Sequence, residues 1–418
     1  MSESLNSIGW IVLGALLADF GLHWLADRLN LKAMPASPPV AFEPLFETRD
    51  YQRTKDYLSI NTRFGWMAGG IQLAAVLAFW LAGGFPVLDA WVRTLGLGTI
   101  LSGLVFVGVL VVLRALIALP FSVYSTFVIE EKFGFNRTSW RTFVMDRIKG
   151  AVLACLLGAP LLAGILFFFQ EAGSWAWVYS WAAVVSFMVV MQYVAPTWIM
   201  PLFNRFEPLG DAALETAIRR YADAIDFPLQ NVFVMDGSKR SGKGNAFFTG
   251  FGHNRRIVLF DTLIKQHDRD ELVAIIAHEM GHYKKHHVHT GLMAAVAQTG
   301  VMFFLLSLCI AHPALFAAFY MPQPSIYAGL VLFGLLYAPV DFFTDILSMV
   351  LSRHNEYAAD RFAIETTGNG EALVSALKKL SVTHLSHLSP HPFYVFLNYS
   401  HPPVLSRINA IQNQLPSP

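Results

Sequence analysis

The sequence predicts an all-α membrane protein with about seven transmembrane helices and a small α+β domain. Three observations lead there. Of 418 residues, 55% are hydrophobic and only 14% charged, against roughly 25% charged in an average soluble domain, and one soluble core could not hide so much apolar surface. Seven stretches stay apolar for about 20 residues, the length at which a helix crosses ~30 Å of hydrocarbon. The polar residues gather in two segments, 200–288 and 352–418. A balance of 30 Lys+Arg against 29 Asp+Glu carries no basic excess for nucleic acid. Cys155 and Cys309 both sit in apolar runs, which excludes a disulfide scaffold.

In chain order, spans are expected at 8–26, 64–85, 99–121, 150–169, 174–199, 289–315 and 325–351. The first is expected to stay in the mature chain, because residues 1–7 carry no positive charge and Asp19 and His23 interrupt its apolar run. Lys and Arg alternate across the connections: six in 27–63, one in 86–98, five in 121–149, none in 170–173, twelve in 200–288, none in 316–324 and five in the tail from 352. The positive-inside rule then puts the N-terminus outside and the basic connections in the cytoplasm. The chain divides into 1–199 with five spans, a catalytic segment 200–288, two spans in 289–351, and a second catalytic segment 352–418. Residues 34–44, rich in proline, read as a loop.

The chemistry is concentrated in 268–287. Asp268 with Glu271 three residues on forms a capping box that opens a helix, and Leu272, Ile275, Ile276 and Ala277 give that helix a buried face. His278 and His282 are then i, i+4 neighbours that can reach one ion together, with Glu279 beside them. In this His-Glu-x-x-His arrangement a bound zinc acidifies a water and the Glu takes its proton. His282 and His286 make another i, i+4 pair, but no Glu follows the first of them, so it is expected to be solvated or to line the site. A catalytic zinc needs a third protein ligand. Segment 352–360 offers Glu356 and Asp360 at i, i+4, and also His354. Spacing alone leaves Glu356 and His354 both open, with Asp360 suited to orienting a ligand or to hydrogen-bonding the transition state. Segments 231–236, 245–250 and 257–261 are short apolar runs that suit a small sheet with a hairpin through His253-Asn254. An extended peptide can lie along the edge of such a sheet. Asn398-Tyr-Ser-His-Pro-Pro403 is too polar and proline-bearing to extend a helix. His401 there either caps a neighbouring helix or reaches the metal from the side opposite the His-Glu-x-x-His helix.

At this point the sequence resembles the CAAX prenyl endopeptidases. The likeness is carried by His-Glu-Met-Gly-His at 278–282, Asn-Glu-Tyr-Ala-Ala-Asp at 355–360 and Ser-Gly-Lys-Gly-Asn-Ala-Phe-Phe-Thr-Gly at 241–250. Ile-Glu-Glu-Lys-Phe-Gly-Phe-Asn at 129–136, Pro-Leu-Phe-Asn at 201–204 and Ser-His-Pro-Pro at 400–403 add to it. The resemblance implies spans forming a barrel of tilted helices around a water-filled chamber, with a gluzincin-like α+β catalytic domain. It implies one Zn2+ per chain held by His278, His282 and Glu356, Glu279 as general base, and Asp360 as the supporting acidic residue. Asn245 and His401 would contact the scissile peptide and its oxyanion, with Ala246 and Phe247 along the substrate. Lys243 and Gly244 stand where the family commonly carries other small or polar residues.

The function expected is an integral-membrane zinc metalloendopeptidase with its site facing the cytoplasm. It would trim prenylated C-termini or serve membrane-protein quality control, in a bacterial inner membrane or the endoplasmic reticulum. Its partners are then the bilayer and a peptide or protein substrate, lipidated or not, with no nucleic acid. The rival is a polytopic transporter or channel with a structural metal site, suggested by Asp19, Arg114, Asp341 and Asp345 in or near spans.

Overall fold

The computed structural model describes residues 5–45, 48–249 and 256–414. Seven of its helices are long and apolar enough to cross a membrane: Ser7–Lys32, Tyr51–Leu81, Thr99–Glu130, Trp140–Glu171, Gly173–Phe203, His287–Cys309 and Ile326–Thr367. We call them the first to the seventh long helix. Between 0% and 33% of their most apolar windows is buried within the protein, so most of that surface is left for a medium other than protein.

Each expected span has its helix, and the differences at the ends have local causes. The second stops at Leu81 instead of reaching Phe85. Gly83 there takes a left-handed φ of 77°, which glycine adopts at no steric cost, and a separate helix, Gly84–Thr94, turns Phe85, Leu88 and Val92 inward. The sixth ends at Cys309, because His312 caps a short helix, Pro313–Ala318, that carries Leu315. The fourth begins at Trp140, where Ser139 accepts from the Thr142 N–H, an N-cap that lets the helix start before its apolar run. The expected loop at 34–44 contains the start of a 3-10 turn, Val40–Leu45. The seventh runs unbroken for 42 residues to Thr367. It passes straight through the expected junction at 351/352 and carries Glu356 and Asp360 on the same rod.

Four strands form one sheet: β1 Phe206–Pro208, β2 Asn231–Met235, β3 Ala246–Thr249 and β4 Arg256–Phe260. Their spatial order is β1-β2-β4-β3, with β2 and β4 parallel and β3 antiparallel to β4 from Ala246–Leu259 to Thr249–Arg256. The three expected strands are there, and the turn at His253-Asn254 lies outside the described residues. The addition is β1, three residues ending in proline and too short to show a period. Sheet and helices share one apolar core that includes Ile218, Ile257, Leu259, Ile276 and Ala376.

The first long helix shows which parts share an end of the molecule. Near its start, the Asn6 side-chain N–H donates to the Ala314 carbonyl at 2.7 Å. Near its finish, the Asn30 carbonyl accepts from His387 Nε2 at 2.9 Å and its side-chain oxygen accepts the His391 N–H at 3.0 Å. The short 313–318 helix is therefore at one end and the C-terminal polar segment at the other.

Candidate metal centre

The helix Arg269–Lys284 is built as its sequence suggests. Asp268 accepts from the Glu271 N–H and the Glu271 side chain accepts in return from Asp268, a complete capping box. Glu271 is buried at 2% exposure and also takes Lys379 at 2.6 Å and Ser375 at 2.5 Å, which ties this helix to Gly370–Thr383. Gly281 lies against the seventh long helix, where a Cβ would stand 3.2 Å from the Ala359 Cα. Its lack of a side chain lets the two helices approach closely enough for Glu356 to reach the histidines.

His278, His282 and Glu356 offer donor atoms that all lie within 4.8 Å of one another. His278 Nε2 is 3.2 Å from His282 Nε2 and 3.4 Å from Glu356 Oε2, and His282 Nε2 is 3.3 Å from Glu356 Oε1. Donors about 2.0–2.1 Å from a tetrahedral ion stand about 3.3 Å apart, so these are the edges of a site that one metal ion would fill. Glu356 Oε2 is buried without a hydrogen bond, with the Arg407 guanidinium 3.3 Å away, which leaves it free to act as a ligand to a cation. Asp360 Oδ1 is 2.9 Å from His278 Nδ1, which puts the proton on Nδ1 and leaves the Nε2 lone pair for an ion. Burial by itself would lower the His278 pKa, but the Asp360 and Glu356 carboxylates beside the ring outweigh it and hold it up to about 9. This cluster demands positive charge, and a dication answers it.

His354 is exposed and stands outside this group. Glu356 turns to the histidines and His354 does not, because residues two apart on a helix do not share a face.

His282 has a neighbour from beyond its own helix. The 269–284 helix ends, His286 takes a left-handed φ of 60°, and His287 starts the sixth long helix. His282 Nδ1 meets His287 Nδ1 at 3.0 Å, fixing the ring with Nε2 toward the site. His286, which follows the end of that helix, is exposed, as expected of a solvated residue.

A cavity of about 570 Å³ opens on this cluster, lined among others by Asn245, Ala246, Glu279, His401 and Arg407. Burial raises the Glu279 carboxyl above its usual range, against the pull of His278 and His282, which suits a group meant to take a proton near neutral pH. Asn245 Oδ1 accepts the Ala246 N–H at 2.9 Å, and Gly244 N–H donates to His384 Nε2 at 3.1 Å. Burial and Lys243 hold His384 down to about 4, so its ring is a neutral acceptor. Ala246 opens β3, the edge strand, at the cavity wall. Phe247 is the correction: its side chain lines a small apolar cavity with Pro196 and Met200 instead, because successive strand residues point to opposite faces. His401 Nε2 comes within 3.3 Å of Glu356 Oε1 while the side chain stays 63% exposed.

Arg407 is the residue that sequence reasoning missed. It is buried, donates to both Asp360 oxygens at 2.8 and 2.6 Å, and reaches Glu356 Oε2 at 3.3 Å. Its signal was present, since Arg407 sits on the buried face of helix Val404–Gln412 beside Ile408 and Ile411. A lone cation on such a face needs a buried partner.

Both halves of the chain match known families. Residues 27–205 match the CAAX prenyl protease N-terminal model, described as five membrane helices, and residues 208–415 match the model of peptidase family M48. The chain is similar to the CAAX prenyl protease 1 homolog of Arabidopsis thaliana, 36% identical over 96% of this chain and 97% of that protein. It is also similar to CAAX prenyl protease 1 of Saccharomyces cerevisiae, 32% identical over 97% and 96%. The crystal structure of S. mikatae Ste24p superposes with a TM-score of 0.92 at 30% identity, covering 98% of this chain and all of that one.

Proposed function

This chain belongs to peptidase family M48 and is a multi-pass integral membrane metalloendopeptidase, and from that premise we propose that its metal is zinc, its ligands His278, His282 and Glu356, and its substrates prenylated C-terminal peptides. Membership of a peptidase family decides against the transporter reading. The observation that carries the ligand assignment is the convergence of the two Nε2 atoms, 3.2 Å apart, on the Glu356 carboxylate, one donor atom from each residue lying within 4.8 Å of the others. Two imidazoles and one carboxylate suit zinc. Prenylated substrates are proposed from the likeness to CAAX prenyl proteases.

Zinc, when bound, acidifies a water and polarises the peptide carbonyl. The remaining work belongs to the chain. Glu279 takes the proton from that water and passes it to the leaving amine. Asp360 holds the His278 Nδ1 proton, and Arg407 keeps Asp360 charged and fixed. The free edge of β3 offers main-chain groups to an extended peptide, with Asn245 and Ala246 at its start. His401, exposed and beside Glu356, donates to the oxygen on which negative charge develops. Detergent-purified protein tests the reading. It should contain one zinc, cleave a farnesylated C-terminal peptide at one bond, and lose that activity to a chelator. Failure to cleave any peptide with zinc in place would refute it.

His401→Ala should lower kcat by ~10²–10³, the usual cost of one lost oxyanion donor, with zinc content and melting temperature near wild type. Unchanged kcat would move that role to Asn245.

The basic connections favour a cytoplasmic site. With Cys155 and Cys309 replaced by Ala, an impermeant thiol reagent applied from outside should label Ala172→Cys and Gln323→Cys but spare Lys239→Cys and Lys378→Cys. Labelling of Lys378→Cys from outside would reverse the orientation.

A further inference from the structure

Five apolar residues from distant parts of the chain, Tyr57, Ile129, Phe133, Phe135 and Leu385, pack into a small buried cluster. Two walls of the 570 Å³ cavity are moored to it. On one side Lys243 Nζ lies over the Phe135 ring, 4.3 Å from its centroid and 2.8 Å from the Tyr57 hydroxyl. The Gly242 N–H donates to the Phe135 carbonyl at 3.0 Å. Together these contacts fix the chain just before Gly244, Asn245 and Ala246, which line the cavity. On the other side Leu385, 5% exposed within the cluster, holds a left-handed φ of 52°. A side chain as bulky as leucine seldom adopts that conformation. Strain of this kind persists where the surroundings impose it, and it is concentrated at functional sites. The turn puts His384 and Ser386, on either side of Leu385, into the lining of the same cavity.

The two ring nitrogens of His384 have different tasks. Nε2 accepts the Gly244 N–H at 3.1 Å, so it carries no proton, and the neutral ring keeps its proton on Nδ1. Among the described residues no group bonds that Nδ1, and none bonds the Ser386 hydroxyl. Neither atom is sealed from solvent. One stretch of wall thus presents two donors, one on a ring whose tautomer is set from behind, with nothing in the protein to receive them.

We propose that His384 and Ser386 form a substrate subsite beside the start of β3, donating hydrogen bonds to an oxygen acceptor of the bound peptide, its terminal carboxylate or a main-chain carbonyl. The proposal rests on the peptidase reading above and adds a contact away from the scissile bond. His384 then serves twice: Nε2 braces the Gly244 backbone and Nδ1 holds the peptide.

Substitution separates the two tasks. In His384→Gln the amide oxygen reaches the place of Nε2 and can accept from Gly244, but no donor remains at Nδ1. His384→Asn puts a side-chain N–H at the place of Nδ1 and gives up the brace. Ser386→Ala removes the other donor with little risk to folding. KM and kcat are measured on one farnesylated C-terminal peptide, as the free acid and as the C-terminal amide. His384→Gln and Ser386→Ala should each raise KM about three- to tenfold, the usual worth of one neutral hydrogen bond. Their kcat should stay within about twofold of wild type, the pattern of a contact made equally in ground and transition states. His384→Asn should keep a KM near wild type. A rise confined to the free acid identifies the acceptor as the terminal carboxylate, and an equal rise on both peptides identifies a main-chain carbonyl. Peptide Kd, read by fluorescence anisotropy in the Glu279→Gln background, should move in parallel and needs no turnover. KM and Kd within about twofold of wild type in either His384→Gln or Ser386→Ala would overturn the subsite. So would a His384→Asn variant impaired as much as His384→Gln, and cleavage retained by these proteins would leave the peptidase reading standing.

Discussion

Glu279→Gln should keep the proposed zinc and lose turnover by about 10²–10⁴-fold, the usual contribution of a positioned acid–base group. Glutamine has nearly the shape of glutamate and is not among the three converging donors, so the metal should stay. What is lost is an oxygen that can accept the proton of the attacking water. The carboxyl is poised for that by burial, which raises its pKa, while His278 and His282 restrain the rise. Parallel measurement of zinc content and kcat decides the matter: retained metal with activity within a few fold of wild type would assign the base elsewhere.

Glu356→Ala removes the metal itself. The carboxylate is 4% exposed and faces His278, His282, His401 and Arg407. Without it two protein ligands remain, too few for a catalytic zinc site, and the buried Arg407 loses one of two carboxylate partners. The variant should be purified with less than a tenth of the wild-type zinc and no measurable peptidase activity. Asp360→Asn should act more mildly, because it withdraws support from His278 without removing a donor. Such outer partners typically account for about 10–100-fold in metal affinity or activity. Stoichiometric zinc in Glu356→Ala would bring His354 back as the third ligand.

What could be read beforehand was whatever the chain encodes locally. The capping box, the buried face and the two histidines of 269–284 lie within 20 residues, and the apolar runs of the seven spans are each contiguous. The β3–β4 pairing was legible because two short apolar runs flank the polar pair His253-Asn254. That Glu356 faces inward while His354 does not was within reach too, from the phase of the seventh helix set by Ala359 and Ala363, which are also buried. Three features were not local. The break at His286 depends on where the 269–284 helix must hand over to a span. The burial of Arg407 depends on Asp360, 47 residues away in sequence. Phe247 turns from the site because the pleat of β3 is set by its pairing with β4, which composition does not reveal. Helix ends moved for the same reason: Gly83 and His312 start new short helices whose apolar faces find partners only in the folded protein.

The central claim is that one metal ion is held by two imidazoles from one helix and a carboxylate from the end of the seventh span. Zinc-edge X-ray absorption on the purified protein measures this directly. The account predicts two imidazole nitrogens at about 2.0–2.1 Å and oxygen donors at about 2.0–2.2 Å, with no sulfur. A third imidazole, which would come from His354, His287 or His401, or a thiolate from Cys155 or Cys309, would contradict it.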